Sequence, residues 1–197
     1  VEWDHLFDDL EGQLAAEWES ERAALDAESE RLRISKLTLH DRLRSMTAGE
    51  NRVLLELTGG EHWDAVLRVM GADWVGVSAS GDPRLRLVPL SAVTTIGSDH
   101  GVLLSSLSPA HGEAGLRERM TFGFVLRDVA RRRTPVTIGR ADADPVQGTI
   151  DRAGADHLDL AVHDVGEPRR TRAVRGFRSI PFAALAWVRL ESASGVV

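Results

Sequence analysis

The stretch Glu167-Pro168-Arg169-Arg170-Thr171-Arg172-Ala173-Val174-Arg175-Gly176-Phe177-Arg178 holds the residue types closest to a recognition chemistry. Arg169, Arg170, Arg172, Arg175 and Arg178 face a single acid, Glu167, and Phe177 adds an aromatic ring. Guanidinium groups pair with phosphates and carboxylates, and a ring stacks on a base. The stretch therefore fits a nucleic acid or an acidic protein surface. It equally fits a solvated hairpin loop, or a loop neutralised by acidic residues of the same or a neighbouring chain. Arg131-Arg132-Arg133 forms a second cationic run, at the end of an expected helix where positive charge suits the helix dipole.

Reaction chemistry is poorly supplied. The seven histidines, His5, His40, His62, His100, His111, His157 and His163, follow no metal-ligand spacing. Asp99-His100 with Ser105 or Ser106 has the composition of a hydrolytic triad but no nucleophile elbow. Asp142, Asp144, Asp151 and Asp156 would suit a divalent cation, yet acids are common in such turns. Gly59-Gly60 and Gly71 are not followed by the Gly-Lys-Ser/Thr of a phosphate-binding loop, and the chain has no cysteine. These residues point to no catalytic group, no cofactor and no metal. They point to a non-catalytic interaction or scaffold protein.

The elements that would carry such a role begin with residues 2–31, rich in Ala and Glu and free of Pro, which predict a long helix. Trp3, Phe7, Leu10, Leu14 and Trp18 recur every three or four residues and share one face. Beyond Trp18 the stripe thins to Leu25 and Leu32. The helix either packs on its own chain or offers a dock or short coiled coil for a protein partner or a second copy. Arg22 is the only Arg or Lys among residues 1–30, so an acidic arm precedes a mildly basic body in a chain of net charge −6. The acidic start and the lack of a long apolar run predict a cytoplasmic protein with no membrane partner. A single lysine, Lys36, beside many Arg, Ala, Gly, Asp and Val suggests a GC-rich bacterial source.

Thr38-x-x-Asp41 reads as a capping box opening a short helix over 39–48, with Leu39, Leu43 and Met46 inward and Gly49 ending it. Five strands follow, near 53–57, 63–69, 74–77, 85–88 and 92–96, joined by tight Gly-containing turns. The same order recurs. A register of 83 residues sets Thr38 on Thr121, Leu43-Arg44 on Leu126-Arg127 and Gly71-Ala72-Asp73 on Gly154-Ala155-Asp156. A register of 92 sets Val88-Pro89 on Ile180-Pro181, so nine extra residues enter the second copy within 164–179. The expected organisation is an acidic amphipathic helix (1–36), a small β-barrel with a leading helix (37–97), a linker (98–118), a second such barrel (119–190) and a tail (191–197). Val102-Leu103-Leu104 in the linker is read as a possible extra strand of the first barrel.

A short helix followed by five strands resembles the Sm-like fold, which includes the bacterial Hfq proteins. Val53…Leu57-x-Gly59…Leu67…Gly71-x-Asp73-Trp74-Val75 is similar to the first Sm motif, and Leu87 to Ile96 to the closing strands. The Val88-Pro89-Leu90-Ser91-Ala92-Val93 step also resembles PRC-barrel proteins. The Sm resemblance implies an α+β fold of tandem small barrels (SH3-like in shape) and allows RNA as a partner through residues 169–178. Its nucleotide-pocket residues are not matched: Gly76 and Asp159 stand near the Asn position, and Val88-Pro89 and Ile180-Pro181 stand where Arg-Gly would be.

Overall fold

The computed structural model describes residues 2–108, 115–164, 166 and 172–191, and of residues 2–9 only the backbone. The chain divides into two units, Val1–Leu39 and His40–Val197. The first is helix α1 (Glu2–Ser35), four residues longer than expected, with ion pairs one turn apart, Glu28–Arg31 and Glu30–Arg33, along its last turns. Among the described residues no helix is long and apolar enough to cross a membrane.

The second unit opens with α2 (Leu39–Ala48). Its Leu43 and Met46 are buried as expected; Leu39 is not, being half exposed. Gly49 does not supply the helix-ending left-handed residue either. That residue is Glu50, with φ 48°. Strands β1 (Arg52–Leu57), β2 (His62–Met70), β3 (Trp74–Ala79) and β4 (Asp82–Pro89) follow as an antiparallel meander. A 3-10 turn at Leu90–Ala92 then sends β5 (Val93–Gly97) back beside β1. Pro89 suits the step because its fixed φ of −64° starts that turn.

Burial alternates along β2 only as far as Leu67. A bulge between Leu67 and Val69 shifts the register, so Met70 rather than Val69 enters the first core. Val69 packs on the second core instead. β3 is buried along its length, with Val75 and Val77 in the first core and Trp74 in the second.

Within the expected linker, the residues Val102-Leu103-Leu104 are not a strand. They lie in α3 (His100–Ser105), started by Asp99, whose carboxylate accepts from the Val102 amide at 2.9 Å. Arg42 of α2 donates to Ser106 Oγ at 2.9 and 3.0 Å, tying the end of α3 to α2.

The same backbone is then built again. Thr121 caps α4 (Phe122–Arg131), accepting from the Phe124 amide. β6 (Pro135–Arg140), β7 (Ala143–Ala153), β8 (His157–Val162) and β9 (Gly176–Pro181) form a meander, and after a 3-10 turn at Phe182–Ala184, β10 (Leu185–Leu190) returns beside β6. Agreement with the first half extends to single bonds. Arg133 (φ 55°) stands for Glu50, and Thr134 N–H to Val129 O stands for Asn51 N–H to Met46 O. The bond from Gly154 N–H to His157 O stands for Gly71 N–H to Trp74 O, and the bulge between Ile150 and Arg152 for that between Leu67 and Val69.

The fold is α+β, and its ten strands form one antiparallel sheet, β5-β1-β2-β3-β4-β10-β6-β7-β8-β9, which does not close on itself. Two separate closed barrels are therefore not what the strands build. β4 of the first half pairs with β10 of the second, Leu87 opposite Val188 and Arg86 opposite Arg189. The cores are shared across this seam: Trp74 and Leu87 belong to the second core, Ala186 and Trp187 to the first. Each such buried side chain contributes about 1.5–3 kcal/mol, so the seam is part of the hydrophobic core.

Candidate functional site

Helix α1 carries the expected apolar stripe. Leu10 (45% exposed), Leu14 (54%), Trp18 (74%), Leu25 (70%) and Leu32 (54%) all face solvent. Their spacing puts them on one side of the helix, with Glu21 and Glu28 interrupting it between Trp18, Leu25 and Leu32. Trp3 and Phe7 fall within the helical backbone, but their side chains lie outside the described residues. Glu30 is held below the usual carboxylate range by its hydrogen bond from Arg33, and Arg33 is raised by the same contact. Solvent-exposed pairs of this kind add little to the stability of a helix.

The arginine loop is seen in part. Arg169 and Arg170 lie outside the described residues. Arg172 and Arg178 are exposed, Arg175 pairs with Asp164, and Phe177 on the edge strand β9 is 68% exposed. The other cationic run is largely neutralised. Asp128 takes both Arg131 and Arg132, and Arg133 pairs with Asp151 at 2.8 Å. The Arg131 hydrogen bond is the main reason the Asp128 carboxyl sits below its ordinary range.

Groups that suggested a reaction are occupied elsewhere. Asp99 caps α3, and Ser106 is buried against Arg42. Asp142 and Asp144 are exposed, Asp151 pairs with Arg133, and Asp156 pairs with His157 at 2.8 Å. That last contact lowers the Asp156 carboxyl and raises the His157 imidazole. His163, buried, bonds Thr149 Oγ1 at 2.8 Å and the Asp164 carbonyl at 2.9 Å. Among the described residues no group of three or more His, Asp or Glu side chains is placed to hold a metal ion.

A polar cluster at the seam had no signal in the residue pattern. Arg86 of β4 and Arg189 of β10 lie opposite one another, each over a tryptophan ring, Trp63 at 5.2 Å and Trp187 at 5.9 Å. The two rings meet edge to face at 5.7 Å. Trp187 Nε1–H is shared by both carboxylate oxygens of Glu61, at 3.0 Å each. Asp82 accepts from Arg84 and Arg86, and Glu191 from Arg84, Arg189 and Thr137. The Arg84 hydrogen bond holds the Asp82 carboxyl far below its ordinary value, and the same bond raises Arg84. Burial works to raise Glu191, but the bonds from Thr137 and Arg189 outweigh it and keep it low. Burial pulls Arg86 down against the attraction of Asp82. Near-balanced charges with satisfied acids make this a register lock for the seam. Such a cluster offers no open position for a substrate.

No family model, curated protein or solved structure matches this chain. The functional reading therefore rests on its own surfaces. Of these, the α1 stripe combines the longest run of exposed apolar side chains among the described residues with a mostly acidic surround up to Glu30.

Proposed function

We propose that this chain is a non-catalytic interaction or scaffold protein whose contact element is helix α1. The carrying observation is the row Leu10, Leu14, Trp18, Leu25 and Leu32, exposed along one helix face. A lone exposed leucine is ordinary. An ordered apolar row of about six turns marks a helix that docks in a groove or on another helix. We read the halves of the His40–Val197 unit as open counterparts of the small barrels of the Sm-like or PRC type. The repeated strand order, with the fifth strand beside the first after a 3-10 turn, supports that reading.

Removing residues 2–31 should leave the sheet's circular dichroism and urea unfolding intact, lower the binding of an apolar dye and change the solution mass of any assembly. A truncated chain with the mass and dye binding expected from its length alone would sink the proposal. A second reading, RNA binding by residues 169–178, is favoured by exposed Phe177 between Arg175 and Arg178. It expects RNA retention that falls with salt and with Arg172→Ala plus Arg178→Ala.

A further inference from the structure

A cavity of about 320 Å³ opens beside α4, at the lower end of the size range of ligand pockets. Trp74, Met120, Phe124 and Val125 form its apolar lining, and Arg117, Asp128, Arg131 and Arg132 its charged lining. Phe124 is 51% exposed, an unusual position for a phenylalanine on a helix whose neighbours are buried. Trp74 is held there by its Nε1–H, which donates to the Met120 carbonyl at 2.9 Å. Its lining is not repeated in sequence in the other half: in the 83-residue register Phe124 and Val125 become Asp41 and Arg42, and Trp74 becomes His157. It lies where a first-half tryptophan meets the second-half helix.

We infer that this cavity seats Trp18 of α1 from a second copy of the chain. The inference rests on the reading of α1 as the contact element and names what that element contacts. Three observations select the occupant. Trp18 is the most exposed large apolar side chain among the described side chains of α1 (74%), and Leu14 and Leu25 lie on its stripe to either side. The cavity's charged lining holds three arginines, Arg117, Arg131 and Arg132, to one acid, Asp128, whereas Trp18 is flanked by Glu17, Glu19 and Glu21. Arg131 and Arg132 both pair with Asp128, and Arg117 has no partner among the described residues. A tryptophan ring offers about 150–250 Å² for burial and can also stack with a rim guanidinium. A single aromatic anchor ringed by complementary charge is the usual form of an interface hot spot. Face-to-face pairing of two α1 stripes is disfavoured by contrast, because Glu21 and Glu28 of both copies would meet within it.

Sedimentation equilibrium of the full chain tests this, with circular dichroism as the check on folding. The wild type should associate, and Trp18→Ala and the pair Arg117→Glu with Arg131→Glu should each weaken association by about tenfold or more. The charge-reversed cavity mixed with a Glu17→Arg, Glu21→Arg chain should recover much of that loss. If Trp18→Ala weakens association while the arginine reversals do not, α1 remains a contact element and the cavity is overturned as its seat. A chain that stays monomeric at every concentration overturns the second copy as occupant, and the deletion of residues 2–31 then judges α1 separately.

Discussion

In the first half of the sheet the strand after the 3-10 turn, β5, lies at a free edge; in the second half its counterpart, β10, lies between β6 and β4. The backbones are alike, and the side chains follow the neighbours. In the 92-residue register Thr95 stands where Trp187 stands, and Gly97 where Arg189 stands. Thr94 and Thr95 are exposed, whereas Leu185, Ala186, Trp187 and Val188 are buried. An open edge is kept polar, which also discourages unwanted pairing. The paired strand receives tryptophan, arginine and a buried acid. The copies thus share what a backbone turn or bulge requires and differ where one of them must face the other.

The sharpest way to break this comparison is to remove the seam's largest side chain. Trp187→Ala takes away the edge-on contact with Trp63 and leaves the Glu61 carboxylate without its indole donor. It should cost about 3–5 kcal/mol in urea unfolding. Thr95→Ala, at the matching place on β5, should change stability by less than about 0.5 kcal/mol. Similar costs at the two positions would show that β10 is not a core strand.

Acid should act more mildly on the same seam. The folded Asp82 carboxyl is held below its unfolded value near 3.9, so its stabilising contacts are complete above about pH 4 and are lost as pH falls toward the folded value. Glu191 shifts in the same direction and adds to the effect. Stability measured by urea titration should therefore decline below about pH 4, and Asp82→Asn should flatten that decline. Asp128, also lowered, bonds arginines that are half exposed or more, so Asp128→Asn should barely change the acid profile.

The smallest effect concerns what the halves have in common. Glu50 and Arg133 hold the same left-handed conformation, which costs an L-residue about 1–2 kcal/mol. Glu50→Gly and Arg133→Gly should each raise the urea midpoint slightly, with Arg133→Gly gaining less because its partner Asp151 is more buried than Arg68, the partner that Glu50 gives up. Opposite signs at the two positions would break the equivalence of the turns.

Much of the backbone was legible in the residues. The stripe of α1, the helix over 39–48, the strand pattern and the two registers all follow local periodicity and turn residues, which act within a few residues of themselves. The left-handed positions were misplaced onto Gly49 because a glycine tolerates that geometry without requiring it, whereas Glu50 is forced into it by the Asn51 N–H to Met46 O bond. Spacing alone puts Leu39 inward, but spacing does not say where a short helix's apolar face ends. The α3 helix had a signal, Asp99 three residues before Val102, that the run of small residues around it obscured. The seam had none. Whether Trp63, Arg86, Trp187 and Glu191 meet depends on which edges pair across a hundred residues of sequence, and no local pattern carries that. Of the candidate contact residues, Leu10, Leu14 and Trp18 stand exposed on one face, and Phe177 and Arg178 stand exposed on the edge strand. The cavity beside Phe124 could not be foreseen, because one wall comes from each half.

The claim that α1 is a contact for a second copy is tested most directly by amide hydrogen exchange over residues 10–32 at low and high protein concentration. Slower exchange around Trp18 at high concentration, with the amides of β3 and β10 unchanged, is the predicted result. Exchange that is the same at both concentrations throughout the helix would contradict it.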